Sequence, residues 1–150
     1  RDKNMTLIEP GMSIKTGRTF VGIPSYPLAA CYERKGMMRA LLAILPDRIP
    51  LPLPLFPIYT KLTAAKLGQI TLATWPGEAS TTVGYNLEKK AAKVGHNKVW
   101  FLGLTNDYLT YFTTKSEFAE GEYDSCSSFY GYKGGRRIIK KLTKLMQKLD

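Results

Sequence analysis

Two stretches carry the residues that could do chemistry: Trp75-Pro76-Gly77-Glu78, and Gly103-Leu104-Thr105-Asn106-Asp107-Tyr108-Leu109-Thr110-Tyr111. Each follows an apolar run, Gln69 to Thr74 and Lys98 to Leu104, and α/β folds place their working side chains beyond strand ends. A carboxylate on a Pro-Gly turn at the start of a helix is kept ionised by the helix dipole and aimed outward. Glu78 therefore suits metal binding or an anionic catalytic role, the alternative being a first-turn acid that only stabilises the helix end. Tyr111 is open in the same way, between a reacting group and a packed ring with a wet hydroxyl. The class these stretches point to is an enzyme.

The elements that must position them can be read from periodicity. Ile58 to Ala65 and Gln69 to Thr74, around Lys66-Leu67-Gly68, read as two strands joined by a tight turn. Ala79 to Val94 reads as a helix with Leu87, Ala91 and Val94 on one face, ended by Gly95. Lys98 to Leu104 is a short buried strand. Strand, helix, strand predicts an α/β fold, and the hairpin makes the sheet mixed, with flanking helices. Thr114-Lys115-Ser116-Glu117 has the form of a capping box opening a short helix toward Glu120, flanked by Tyr108, Tyr111 and Tyr123. Arg136 to Leu149 sets Ile138, Ile139, Leu142, Leu145, Met146 and Leu149 on one stripe among lysines and arginines, a basic amphipathic helix. Upstream, Tyr32 to Leu45 has helical spacing. Pro46 to Pro57 is an extended segment, since each proline lacks a ladder donor.

The 150 residues, 44% of them hydrophobic, suffice for one domain with a real core. The first residue is Arg1 and nothing resembles a signal peptide, so the chain reads as a piece of a longer one. No apolar run approaches the roughly 20 residues that span a bilayer. A net charge of +10 draws the chain toward anionic surfaces. Cys31 and Cys126 are too far apart for a Cys-x-x-Cys site; two unrelated small core residues is the favoured reading, a disulfide the other. His96 reads as a solvent-exposed turn residue, and Asn4-Met5-Thr6 is a glycosylation sequon of a kind that arises by chance.

The ordered set Pro76-Gly77-Glu78, Ser80-Thr81 and Gly84, then Gly103 to Tyr108 with Tyr111, Thr113-Thr114, Glu117-Phe118, and Tyr123-Asp124 with Ser127 resembles the neutral, non-lysosomal ceramidase family. The resemblance covers about Leu51 to Tyr130. It implies a zinc-dependent amide hydrolase, a ceramidase-like amidohydrolase releasing a long-chain base and a fatty acid from ceramide or a related N-acyl lipid. It also implies Zn2+ ligation by Glu78 and Tyr111. Tyr123, twelve residues after Tyr111 as in the family, would line the reacting centre. The family's other two zinc ligands are histidines from an earlier segment, so residues 1–150 are expected to be the C-terminal portion of a ceramidase-like catalytic domain. They would be active only with an N-terminal portion that is a separate chain or a missing segment. The implied partners are that portion and a lipid substrate at a membrane surface, not nucleic acid, and the implied location is secreted, periplasmic or extracellular and membrane-associated. The reading from another class is a non-catalytic basic module that docks on anionic membrane or nucleic acid through Arg136 to Lys148.

Overall fold

The computed structural model describes residues 11–28, 31, 48–53 and 55–149. The helix expected over Tyr32 to Leu45 and the Asn4 sequon lie outside the described residues. The chain runs β1 (Met12–Phe20), β2 (Ser25–Tyr26), β3 (Ile49–Pro50), β4 (Tyr59–Leu67), β5 (Ile70–Thr74), β6 (Glu78–Ala79), α1 (Thr81–Ala92), β7 (Val99–Leu102), β8 (Tyr111–Phe112), α2 (Lys115–Glu120), α3 (Tyr123–Cys126) and α4 (Gly131–Met146). The central sheet has the order β1-β4-β5-β7. Both pairings of β4 are antiparallel and β5 with β7 is parallel, so the expected mixed α/β sheet is present. Its parallel pair flanks α1, the connection that such a pair requires.

The hairpin turns on Gly68 and Gln69, because the ladder continues to Leu67 opposite Ile70. Gly68 supplies the positive φ of 57° that a two-residue hairpin favours and a Cβ resists. The proline segment is partly a strand. Ile49–Pro50 pairs antiparallel with Ser25–Tyr26 as a separate ladder, and a helical turn follows in which the Phe56 N–H donates to the Pro52 carbonyl at 3.2 Å.

The sheet's inner face carries Leu62, Ala64 and Ala73, all fully buried. α4 packs on β1 and β4, and α1 packs against α4 and β7. α4 begins five residues before the expected Arg136. Three glycines obscure that start in sequence, since Gly weakens helices, yet packing requires one of them: a Cβ at Gly134 would sit 2.9 Å from the Tyr130 Cβ and 3.2 Å from the Phe112 ring. Ile138, Leu142, Leu145, Met146 and Leu149 are buried as the stripe implied, each contributing on the order of 2 kcal/mol of hydrophobic stabilisation. The outer face is different. In register across it lie Met12 opposite Leu67, Leu67 opposite Ile70, and Leu72 opposite Trp100. Met12 is 70% and Trp100 60% exposed, so an apolar sheet surface stands open.

Two sequence expectations are corrected here. Cys31 and Cys126 form a disulfide, with Cα atoms 5.2 Å apart; a pairing across 95 residues depends on tertiary approach that no local spacing announces. His96 is buried rather than exposed. Its Nε2 lies 3.0 Å from the Met146 carbonyl and its Nδ1 2.7 Å from the Thr71 hydroxyl. With Nε2–H donating to the carbonyl, Nδ1 accepts from Thr71, and the ring ties the turn after α1 to the end of α4. Both nitrogens are used structurally.

Candidate active site

Glu78 is placed by strand pairing. After β5 the buried Trp75 packs its ring against Phe101 and edge-on to Phe112, and the chain crosses through Pro76-Gly77 into β6. β6 and β8 pair in parallel with Glu78 opposite Tyr111, which puts the two side chains on one face about 4.8 Å apart along the ladder. Gly77 is required by that approach, since a Cβ there would strike the Thr110 carbonyl and lie 3.1 Å from the Phe112 ring. The expectation of Glu78 in the first turn of a helix is corrected: Ser80 is the N-cap of α1, and Glu78 stands two residues outside it. The helix dipole fades over that distance, so hydrogen bonding to its neighbours, not the dipole, sets the carboxylate's surroundings.

The loop from Leu104 to Thr110 is held in a conformation that ordinary side chains resist. Leu104, Asn106 and Thr110 have φ of 55°, 72° and 59°, each costing about 1–3 kcal/mol unless the surroundings over-determine it. They do so here. The Thr105 hydroxyl donates to the Leu102 carbonyl at 2.8 Å and accepts from the Trp75 N–H at 2.9 Å. Asn106 Nδ2 donates to the Lys61 carbonyl at 2.9 Å, and Asp107 Oδ2 accepts from the Thr60 hydroxyl at 2.6 Å. Leu109 is fully buried, and the Thr110 hydroxyl donates to the Ser127 carbonyl at 2.7 Å. Strain kept by so many contacts fixes the direction of Tyr108 and Tyr111.

The three sequence-predicted site residues come together. Tyr111 stands in register with Glu78 on the paired β6 and β8, and its ring meets that of Tyr123 edge-on with centroids 5.5 Å apart. Tyr108 is a fourth member to which the sequence reading gave no chemical role. Its hydroxyl donates to Glu78 Oε1 at 3.2 Å, and its place three residues before Tyr111 in the same loop was the available signal. Desolvation, then the hydrogen bond to Glu78, push the Tyr111 phenol up to about 12; the same causes raise Tyr108. The Glu78 carboxylate thus accepts from the neutral Tyr108 phenol and stands beside the neutral Tyr111 phenol in the β6–β8 register. A carboxylate and two phenols grouped together are hard oxygen donors, a set that fits a divalent cation but supplies too few ligands for a closed tetrahedral site. Among the described residues no three His, Cys, Asp or Glu side chains gather.

The expected capping box is present at Thr114 and Glu117, and it does more than start α2. Glu117 Oε2 accepts from the Thr114 N–H at 2.7 Å and from the Ser80 hydroxyl at 2.8 Å, so the caps of α1 and α2 are joined. Partial burial acts to raise the Glu117 carboxyl, but the Thr114 N–H and the hydroxyls of Ser80, Thr82 and Thr114 outweigh it and hold the group below the usual carboxylate range. A depressed folded-state pKa contributes stability above the unfolded value, about 4.3, and loses it as pH falls through the folded value. Glu117→Gln should therefore lower the melting temperature at neutral pH, with the gap to wild type closing below about pH 4 in calorimetry. A gap that does not change with pH would show that the charge plays no part.

A four-stranded mixed sheet backed by two helices, with a carboxylate and three tyrosines grouped at the separate β6–β8 ladder and the segments beside it, defines an α/β protein with an enzyme-like site. The family model described as neutral/alkaline non-lysosomal ceramidase, N-terminal, matches residues 16–138, and the chain belongs to that family. It is 29% identical over 121 residues to the neutral ceramidase of Pseudomonas aeruginosa and 26% identical over 140 residues to that of Drosophila melanogaster. Those alignments cover 77% and 87% of this chain but 17% and 19% of the relatives, so the chain spans less than a fifth of their length. Among solved structures, it superposes on the crystal structure of neutral ceramidase from Pseudomonas aeruginosa with a TM-score of 0.70 at 16% identity, covering 93% of this chain and 28% of that one. A ceramidase complexed with C2 gives 0.73 at 14% identity, covering 93% and 30%. The matched family model is the N-terminal one, which corrects the expectation of a C-terminal part.

Proposed function

We propose that the chain is an incomplete portion of a zinc-dependent amide hydrolase that acts on ceramide or a related N-acyl lipid at a membrane surface, and that nucleic acid is not its partner. The convergence of Glu78 and Tyr111 in register on β6 and β8 carries this reading. Glu78 and Tyr111 would be metal ligands, with two histidines coming from the remainder of the domain. Zinc held in this way supplies polarisation of the amide carbonyl and lowers the pKa of a water at its open position. The other duties fall to this chain's own groups. Tyr108 fixes Glu78 through its 3.2 Å hydrogen bond, the kind of outer contact that orients a ligand. Tyr123 packs against Tyr111 and keeps an exposed hydroxyl, which can donate to the amide oxygen as negative charge develops there. Loss of the Tyr111 proton would accompany metal binding, since ligands bind deprotonated.

The apolar outer sheet face supports the need for a further portion. A contiguous exposed apolar patch marks an interaction surface, and relatives several times longer than this chain have the chain to cover it. The Cys31–Cys126 disulfide supports a secreted, periplasmic or extracellular setting. Metal analysis of the intact protein and of residues 1–150 alone tests the proposal. Near one equivalent of zinc is expected in the first and none in the second, with amide hydrolysis only in the first. An intact protein that hydrolyses N-acyl lipid without bound metal would sink the zinc assignment. Activity and a cooperative melt in residues 1–150 alone would sink the requirement for a further portion.

A further inference from the structure

α1 and α4 lie side by side, and between them runs an open groove of about 1010 Å³. Lys90 and Lys93 line it from α1 and the turn after it, Lys115 from the start of α2, and Lys133, Lys140 and Lys144 from α4. None of the residues that line it is acidic. Glu88, on α1, lines a different hollow beside Trp100. Among the described residues, none of these six lysines has an ion-pair or hydrogen-bond partner, and all six are exposed.

Helix stability does not account for them. Cations are favoured at helix C-termini and disfavoured at N-termini, so Lys90 and Lys144, in the last turns of α1 and α4, could be there for the helices' sake. Lys115 and Lys133 could not. They stand in the first turns of α2 and α4, and α4 has no acidic residue in that turn to offset the charge. A row of like charges that repel one another, with Lys133 set against the dipole of α4, draws an anionic partner that relieves the repulsion.

The groove's other residues say which kind. Its floor is apolar, with Val83 buried and Ile139 half-buried. Tyr132 lines it too, but its ring is packed toward Phe118 with centroids 6.1 Å apart, so no aromatic platform of the sort that stacks bases is offered. A basic rim over an apolar floor matches the headgroup layer of an anionic bilayer. One wall, Thr113-Thr114, follows directly in the chain from Tyr111-Phe112 of β8, so the groove is tied covalently to the strand that carries Tyr111. We infer that the α1–α4 groove is the seat by which the protein docks on anionic phospholipid membrane. This does not depend on whether Glu78 and Tyr111 hold a metal.

Sedimentation of the intact protein with vesicles of phosphatidylcholine, alone or mixed with phosphatidylserine, tests the inference. Binding should require phosphatidylserine and fade as salt shortens the Debye length from about 10 Å to about 3 Å. Each positive charge removed near the surface costs about fivefold in affinity. Reversing Lys90, Lys93, Lys140 and Lys144 to Glu together should therefore weaken binding by at least several hundredfold, while Lys98→Glu with Lys148→Glu, outside the groove, should do far less. If the fourfold variant fails to fold, Lys140→Gln with Lys144→Gln reads the same quantity at about 25-fold. Three results would overturn the inference: undiminished vesicle binding in the groove variants, an equal loss per charge in the off-groove pair, or tighter binding of a single-stranded oligonucleotide than of phosphatidylserine vesicles.

Discussion

In the intact protein, Glu78→Gln is expected to lower kcat for amide hydrolysis by about a thousandfold and to strip most of the bound zinc. The substitution keeps the side chain's shape and leaves an amide oxygen to accept the Tyr108 hydroxyl, now 3.2 Å from Oε1, so the local structure should persist. What is lost is the negative charge. Lewis-acid stabilisation of a developing oxyanion contributes several kcal/mol, and each 1.36 kcal/mol is a factor of ten in rate, which gives the expected size. Tyr111→Phe should act in the same direction, because it removes the phenol oxygen beside that carboxylate while keeping the edge-on packing against Tyr123. Steady-state kinetics and metal content measured on the same preparations decide the matter. A Glu78→Gln protein that keeps both its zinc and its kcat would remove Glu78 from the site.

How far this site could be read from sequence depends on which physical signal each part leaves. α1, β7, the β4–β5 hairpin and the buried stripe of α4 were legible because periodicity reports a face directly. β1 was not. Its inner face is Ser13, Lys15, Gly17 and Thr19, while Met12, Ile14 and Phe20 point to the open side, so the alternation runs opposite to that of a sheet whose outer face meets water. Such a pattern accords with the further portion proposed above. The pairing of Glu78 with Tyr111 was also invisible to local pattern, because β6 and β8 are two residues each and their register is set by Gly77, Leu109 and the strained loop. Local reasoning alone left Glu78 open between a metal-binding or catalytic carboxylate and a helix-end acid, and the resemblance to a family of enzymes joined it to Tyr111 and Tyr123. His96 was misplaced for a related reason. A lone histidine in a Gly-His-Asn turn looks exposed until the end of α4, 50 residues on, closes over it.

α4 offers the sharpest separation of core from surface. Leu142 is fully buried on the helix face that packs against β1 and β4, whereas Lys140 and Lys144 line the open groove. Leu142→Asp should destabilise the fold by roughly 4–5 kcal/mol, the loss of a large buried side chain together with burial of an unpaired carboxylate. Domains are stable by about 5–15 kcal/mol, so such a loss takes most of the margin, and the cooperative melt should move down by many degrees or vanish. Lys140→Glu with Lys144→Glu should change stability by no more than about 0.5 kcal/mol and weaken binding to phosphatidylserine vesicles. Opposite responses from neighbouring positions on one helix cannot arise from a general loss of structure. Should Leu142→Asp leave the melting temperature unaltered yet abolish vesicle binding, the apolar stripe would face lipid, and the packing of α4 against the sheet would be wrong.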